Sequence, residues 1–170
     1  MEMTGKEFED AVARWARSLG GDGSIGRYGV QSVRTGGPLG AIQIKSLPDF
    51  EGIMGWGDWQ YIWDCKACSQ ASFNLAAYRD RKKRQLTHMI ERSRFGAICG
   101  FLIHWNERKL KTKTEKEETW WFPVHHLHPF WESFFAAEVK RITRIDCMEH
   151  GKEVAWHKNK PMLTETLKLL

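Results

Sequence analysis

A chain of 170 residues, 42% hydrophobic and with nine Trp, is long enough to bury one core and too apolar to stay disordered. Its mean hydropathy of −0.51 and lack of any long unbroken apolar run exclude a membrane-spanning helix. A net charge of +5 favours a polyanionic partner such as nucleic acid.

In chain order, Thr4 and Glu7 have capping-box spacing, and Phe8, Val12, Trp15 and Leu19 follow at helical spacing up to Gly20-Gly21, which predicts a helix. This start is acidic where a signal peptide is basic, so export is not expected. SIGRYGVQSV reads as a strand, RTGGPLG as a loop and AIQIKS as a short extended piece. DFEGIMG and WQYIWDCKA read as a pair of strands around the turn-rich GWGD. A charged helix is predicted from Asn74 to Arg94, with Leu75, Tyr78, Leu86, Met89 and Ile90 as its apolar face. FGAICGFLIHW is a buried-type strand, NERKLKTKTEKEE a charged tip and TWWFPV the returning strand. A turn and a short helix follow, and the tail from Thr143 has no clear assignment. One domain spans residues 1–170, a mixed α/β fold without repeats or linkers.

Without a secretory signal the cysteines at 65, 68, 99 and 147 are expected as reduced thiols. Cys65, Cys68, Cys147 and His150 would supply four zinc ligands, a staple for a non-catalytic DNA-binding module. His125, His126 and His128 offer either a metal cluster or a structural role, and His88 reads as a surface or DNA-facing side chain. Trp56 and Trp59 offer stacking faces in the turn. The basic run Tyr78–Arg84, with Arg79, Lys82, Lys83 and Arg84, suits phosphate contacts.

The stretch with most chemistry runs from Pro48 to Cys68. In a strand, residues two apart share a face, so Asp64 and Lys66 project together. A hairpin would bring Asp49 near Asp64, where two carboxylates repel unless a cation intervenes. Mg²⁺, with Mn²⁺ as a substitute, suits such oxygen ligands, and the Lys66 ammonium could offset charge on a phosphorane-like transition state. This is a minimal kit for phosphodiester hydrolysis.

The stretches PDFEGI, YIWDCKACSQASFNL, RQLTHMIERSRFGAICGFLIHW and WWFPVHHLHPFW resemble the RecU-type Holliday-junction resolvases of the PD-(D/E)xK nuclease superfamily. The resemblance covers roughly two-thirds of the chain. It implies a restriction-endonuclease-like fold, a central mixed β-sheet flanked by helices. It also implies Asp49 and Asp64 as metal-binding acids and Lys66 as the catalytic lysine. Glu9, four residues after Gly5, matches a third metal-binding and catalytic carboxylate on the first helix, and Gln85 matches a glutamine of the second helix that can face the site. Asp64 stands where Glu is more usual in these resolvases. The segment from Val33 to Leu47 is short beside the projection such enzymes insert in the junction.

The implied activity is a Mg²⁺-dependent, structure-selective endonuclease that resolves four-way junctions by paired nicks in recombination and repair. The symmetry of that task implies a homodimer. Its partners would be junction DNA and a branch-migration helicase, with no membrane, in a bacterial cytoplasm or, for a phage-encoded protein, that of the host. A restriction-like or repair endonuclease acting on other branched or linear DNA is the alternative with the same fold.

Overall fold

The computed structural model describes residues 2–19, 23–27, 31–34, 41–44, 48–54, 60–75, 83–157 and 160–167. Among these the strands are β1 (Gly23–Arg27), β2 (Gln31–Arg34), β3 (Ala41–Ile44), β4 (Phe50–Met54), β5 (Gln60–Cys68), β6 (Ser72–Asn74) and β7 (Ile98–Trp105). They continue with β8 (Arg108–Lys109), β9 (Thr114–Glu115), β10 (Glu118–Val124), β11 (Arg141–Thr143), β12 (Lys152–Glu153), β13 (Trp156–His157) and β14 (Lys160–Pro161). The helices are α1 (Gly5–Ser18), α2 (Lys83–Arg94), α3 (Pro129–Phe135), α4 (Arg144–His150) and α5 (Leu163–Leu167).

Thr4 and Glu7 form the capping box: the Thr4 hydroxyl accepts the Glu7 N–H at 3.3 Å, and the Glu7 carboxylate accepts the Thr4 N–H at 2.8 Å. From there Phe8, Val12 and Trp15 bury one stripe of α1 against the central sheet, whose strand order is β1-β4-β5-β7-β10-β12. β4 pairs antiparallel with both β1 and β5, and β10 with both β7 and β12. β5 and β7 are parallel, which requires a crossover, and α2 lies within it. The result is a mixed sheet flanked by helices, an α/β fold.

Alternation along β5 divides the core. Tyr61, Trp63 and Cys65 join Phe8, Val12 and Trp15 on the α1 side, with Phe50 stacked on Trp63 at 5.4 Å between centroids. Ile62 and Cys68 lie on the opposite side with Phe101 and Ile103 of β7 and Leu86, Met89 and Ile90 of α2. Gly100 allows β7 and β10 to close up, since a Cβ there would stand 2.5 Å from the Trp121 ring.

Several elements differ from the sequence reading. Asn74, expected to open the charged helix, instead ends the strand Ser72–Asn74, where it pairs with Arg141 as Phe73 pairs with Ile142 of β11. Of the charged helix, Lys83–Arg94 is among the described residues, and Tyr78 lies outside them. β2 and β3 pair in a two-stranded ribbon of their own. The tail after Thr143 is ordered into structure: Thr143 and Asp146 build a second capping box for α4, and β12 joins the sheet beside β10. His128 caps α3, its Nδ1 accepting the Phe130 N–H at 3.3 Å. Among the described residues no helix is long and apolar enough to cross a membrane.

Candidate functional site

The ladder between β4 and β5 ends at the pair Phe50↔Trp63. The next residue outward on β4 is Asp49, and its carboxylate takes over where the strand stops. Its Oδ2 accepts the Cys65 N–H at 2.8 Å, a hydrogen bond that a further strand residue would otherwise make. Because Phe50 faces α1, Asp49 points to the α2 side of the sheet, as do Asp64 and Lys66. Three ionisable groups separated by up to 17 positions thus converge, with Lys66 Nζ 2.6 Å from Asp64 Oδ2 and 3.8 Å from Asp49 Oδ2. Lys66 Nζ also donates to the Cys65 carbonyl at 2.7 Å.

Exposure separates the roles. The Asp64 side chain is 0% exposed, whereas those of Asp49 and Lys66 keep 19% and 16%. Asp64 is a buried anchor that holds the ammonium from behind, and Asp49 and Lys66 are the partly exposed members of the group. Burial, then the charge of Asp64, pushes the Asp49 carboxyl up to about 7 against the pull of Lys66. Burial works to lower the Lys66 ammonium, but Asp64 and Asp49 outweigh it and hold the group well above its ordinary value. At neutral pH the site therefore pairs a fixed cation with a carboxyl that can give or take a proton.

The expectation of a Mg²⁺ or Mn²⁺ centre at Asp49, Asp64 and Glu9 is corrected. Among the described residues no three His, Cys, Asp or Glu side chains are grouped so as to hold a metal ion. Lys66 takes over part of the role for which a dication was invoked, since its ammonium contacts both carboxylates and offsets part of their repulsion. Glu9 belongs to α1, which packs on the other face of the sheet, and its charge is felt at the Cys65 thiol. It does not complete a donor set with Asp49 and Asp64.

The zinc staple is absent for a related reason. Cys65 lies in the α1-side core, while Cys68 and Cys147 lie in the α2-side core, and all three are buried free thiols. Alternation along β5 puts the two cysteines of Cys65-x-x-Cys68 on opposite faces.

Gln85 is 8% exposed on α2, the helix that covers the face bearing Asp64 and Lys66. α2 runs against β5: its Arg92 donates to Gln60 Oε1 at the start of the strand, so Gln85, about two turns earlier, lies toward the Lys66 end. Sequence reasoning missed this neighbourhood. Glu51 shares the face of Asp49 and accepts from Gln60 Nε2, so Glu51, Gln60 and Arg92 form a polar chain next to the three converging groups. The signal was the alternation in Asp49-Phe50-Glu51.

Of the predicted phosphate contacts, Arg79 and Lys82 lie outside the described residues, as do Trp56 and Trp59; Lys83 and Arg84 open α2. His88 is only half-buried, but its Nε2 is covered by protein. Comparison with known proteins returns no matching family model and no matching curated relative.

Proposed function

We propose that this chain is a structure-selective DNA endonuclease of restriction-endonuclease-like fold, acting on four-way junctions. The observation that carries the proposal is the convergence of Asp49, Asp64 and Lys66 where β4 leaves β5. The resolvase-like sequence around these residues and the basic charge of the chain support it.

The residues present suggest how they would act. A water oxygen attacks the scissile phosphorus, and its proton passes to the Asp49 carboxylate, whose proton affinity near neutrality suits a general base. As the P–O3′ bond breaks, negative charge grows on the phosphoryl oxygens, and the Lys66 ammonium, fixed by Asp64, stabilises it. The departing 3′ oxygen takes a proton from solvent, leaving a 5′ phosphate and a 3′ hydroxyl. Two such cuts placed symmetrically across a junction would come from a homodimer with a two-fold axis.

The test is nicking of a labelled four-way junction beside a linear duplex of the same sequence. The junction should be cut and the duplex spared. Lys66→Ala should slow cutting by about 100-fold while junction binding persists. Undiminished cutting by that variant, with its fold verified by circular dichroism, would overturn the assignment.

A further inference from the structure

The charged tip between β7 and β10 is an anchored two-stranded arm. β8 and β9 pair in the register Arg108↔Glu115 and Lys109↔Thr114, and the turn is closed by the Leu110 N–H donating to the Lys113 carbonyl at 2.8 Å. Its base is tied down by Arg144 of α4. That guanidinium donates to the carbonyls of Lys116 at 2.9 Å and Asn106 at 2.8 Å, pairs with Glu118 and lies over the Trp105 ring. Glu115 is held by Arg108 at 2.9 Å, with Arg144 at 3.7 Å and Lys113 at 3.5 Å.

This arrangement sorts the charges of the arm. The acids at its base, Glu115 and Glu118, are neutralised by the arginines. Lys109, Lys111 and Lys116 are exposed and have no ion pair among the described residues, with Glu107 and Glu117 as the exposed acids flanking them. A rigid base below unpaired ammonium groups lowers the ordering cost of binding a polyanion.

Its place in the fold gives the arm a direction. β7 is parallel to β5 with Lys66 opposite Ile103 and Cys68 opposite Trp105, and the Asn106 N–H donates to the Cys68 carbonyl at 3.0 Å. The arm therefore leaves the sheet at the Lys66 end of β5. At about 3.3 Å per residue, Arg108 is within about 16 Å of the level of Lys66. That is roughly four to five base steps along a duplex axis.

We propose that the arm from Arg108 to Lys116 holds the sugar-phosphate backbone of a duplex arm leading away from the Asp49–Lys66 site, with Lys109, Lys111 and Lys116 contacting phosphates. The assignment rests on the endonuclease reading above for its partner. It adds a contact surface at the segment read from the sequence only as a charged tip.

The experiment measures binding of a fluorescently labelled four-way junction over a salt series, using the intact protein, the triple variant Lys109→Gln/Lys111→Gln/Lys116→Gln and a control outside the arm, Lys140→Gln. Loss of three phosphate contacts should lower the slope of log K against log salt by about 2.7, and Lys140→Gln should leave it unchanged. The substituted side chains are exposed, so unchanged melting of the triple variant is expected. Equal affinity and slope for triple variant and wild type would overturn the arm. So would competition by polyglutamate as effective as by unlabelled duplex, which would mark a site for acidic polypeptide. Junction nicking is recorded in parallel. Nicking with an unaltered triple-variant slope overturns the arm alone, whereas wild-type protein that neither nicks nor binds overturns arm and endonuclease together.

Discussion

An ammonium 2.6 Å from one buried carboxylate and 3.8 Å from a second offsets the charge of Asp64 and, only in part, that of Asp49. Taking that cation away leaves two carboxylates without compensation, so Lys66→Met should cost about 3–5 kcal/mol in a urea titration at pH 7. Asp49 makes its own pH dependence. With a folded pKa of about 7 against an ordinary 3.8, its contribution to stability is full below about pH 4 and is lost as pH rises through 7. Asp49→Asn should therefore match wild type at pH 4 and exceed it at pH 8, on the order of 2–4 kcal/mol, in paired denaturation curves. A variant equally stable at both pH values would show that the carboxyl is not held up. The shared face of Asp64 and Lys66 was legible in the sequence, because strand alternation is local. What relieves the carboxylates was not. Periodicity says which side chains meet, but whether an ammonium or a dication separates two acids depends on distances that only the folded chain sets.

Elements differ in how much of their cause is local. The start of α1 was legible because Thr4 and Glu7 satisfy each other across three residues. Thr4→Ala should cost about 1 kcal/mol, read from the midpoint of thermal or urea unfolding, and a fully neutral substitution would mean that the box adds nothing. Ser72–Asn74 shows the opposite case. The segment next to a strongly helical sequence is extended because Phe73 finds Ile142, and the Leu75 N–H donates to the Lys140 carbonyl at 2.9 Å. Partners nearly seventy positions away leave no trace in a local window, so the predicted helix began too early. Lys152–Glu153 was unreadable for a similar reason. Two exposed charged residues carry no strand pattern, and only pairing with Trp120 and Trp121 makes them the edge of the sheet.

At the scale of the whole molecule, a sheet between two apolar layers was predictable from the apolar run in FGAICGFLIHW, although the strand begins only at Ile98 and Phe95 is exposed. The division of the four cysteines between those layers has a practical consequence. Burial pushes every thiol up, Cys99 and Cys147 to about 12, so folded protein holds them as unreactive, neutral groups. Alkylating reagents should modify the native chain only when it opens, at a rate that follows the unfolding equilibrium. Prompt modification of all four in native buffer would contradict the burial described. Because Cys65 sits in one stratum and Cys68, Cys99 and Cys147 in the other, the order in which their peptides gain mass should tell whether the two halves of the interior come apart together or in turn.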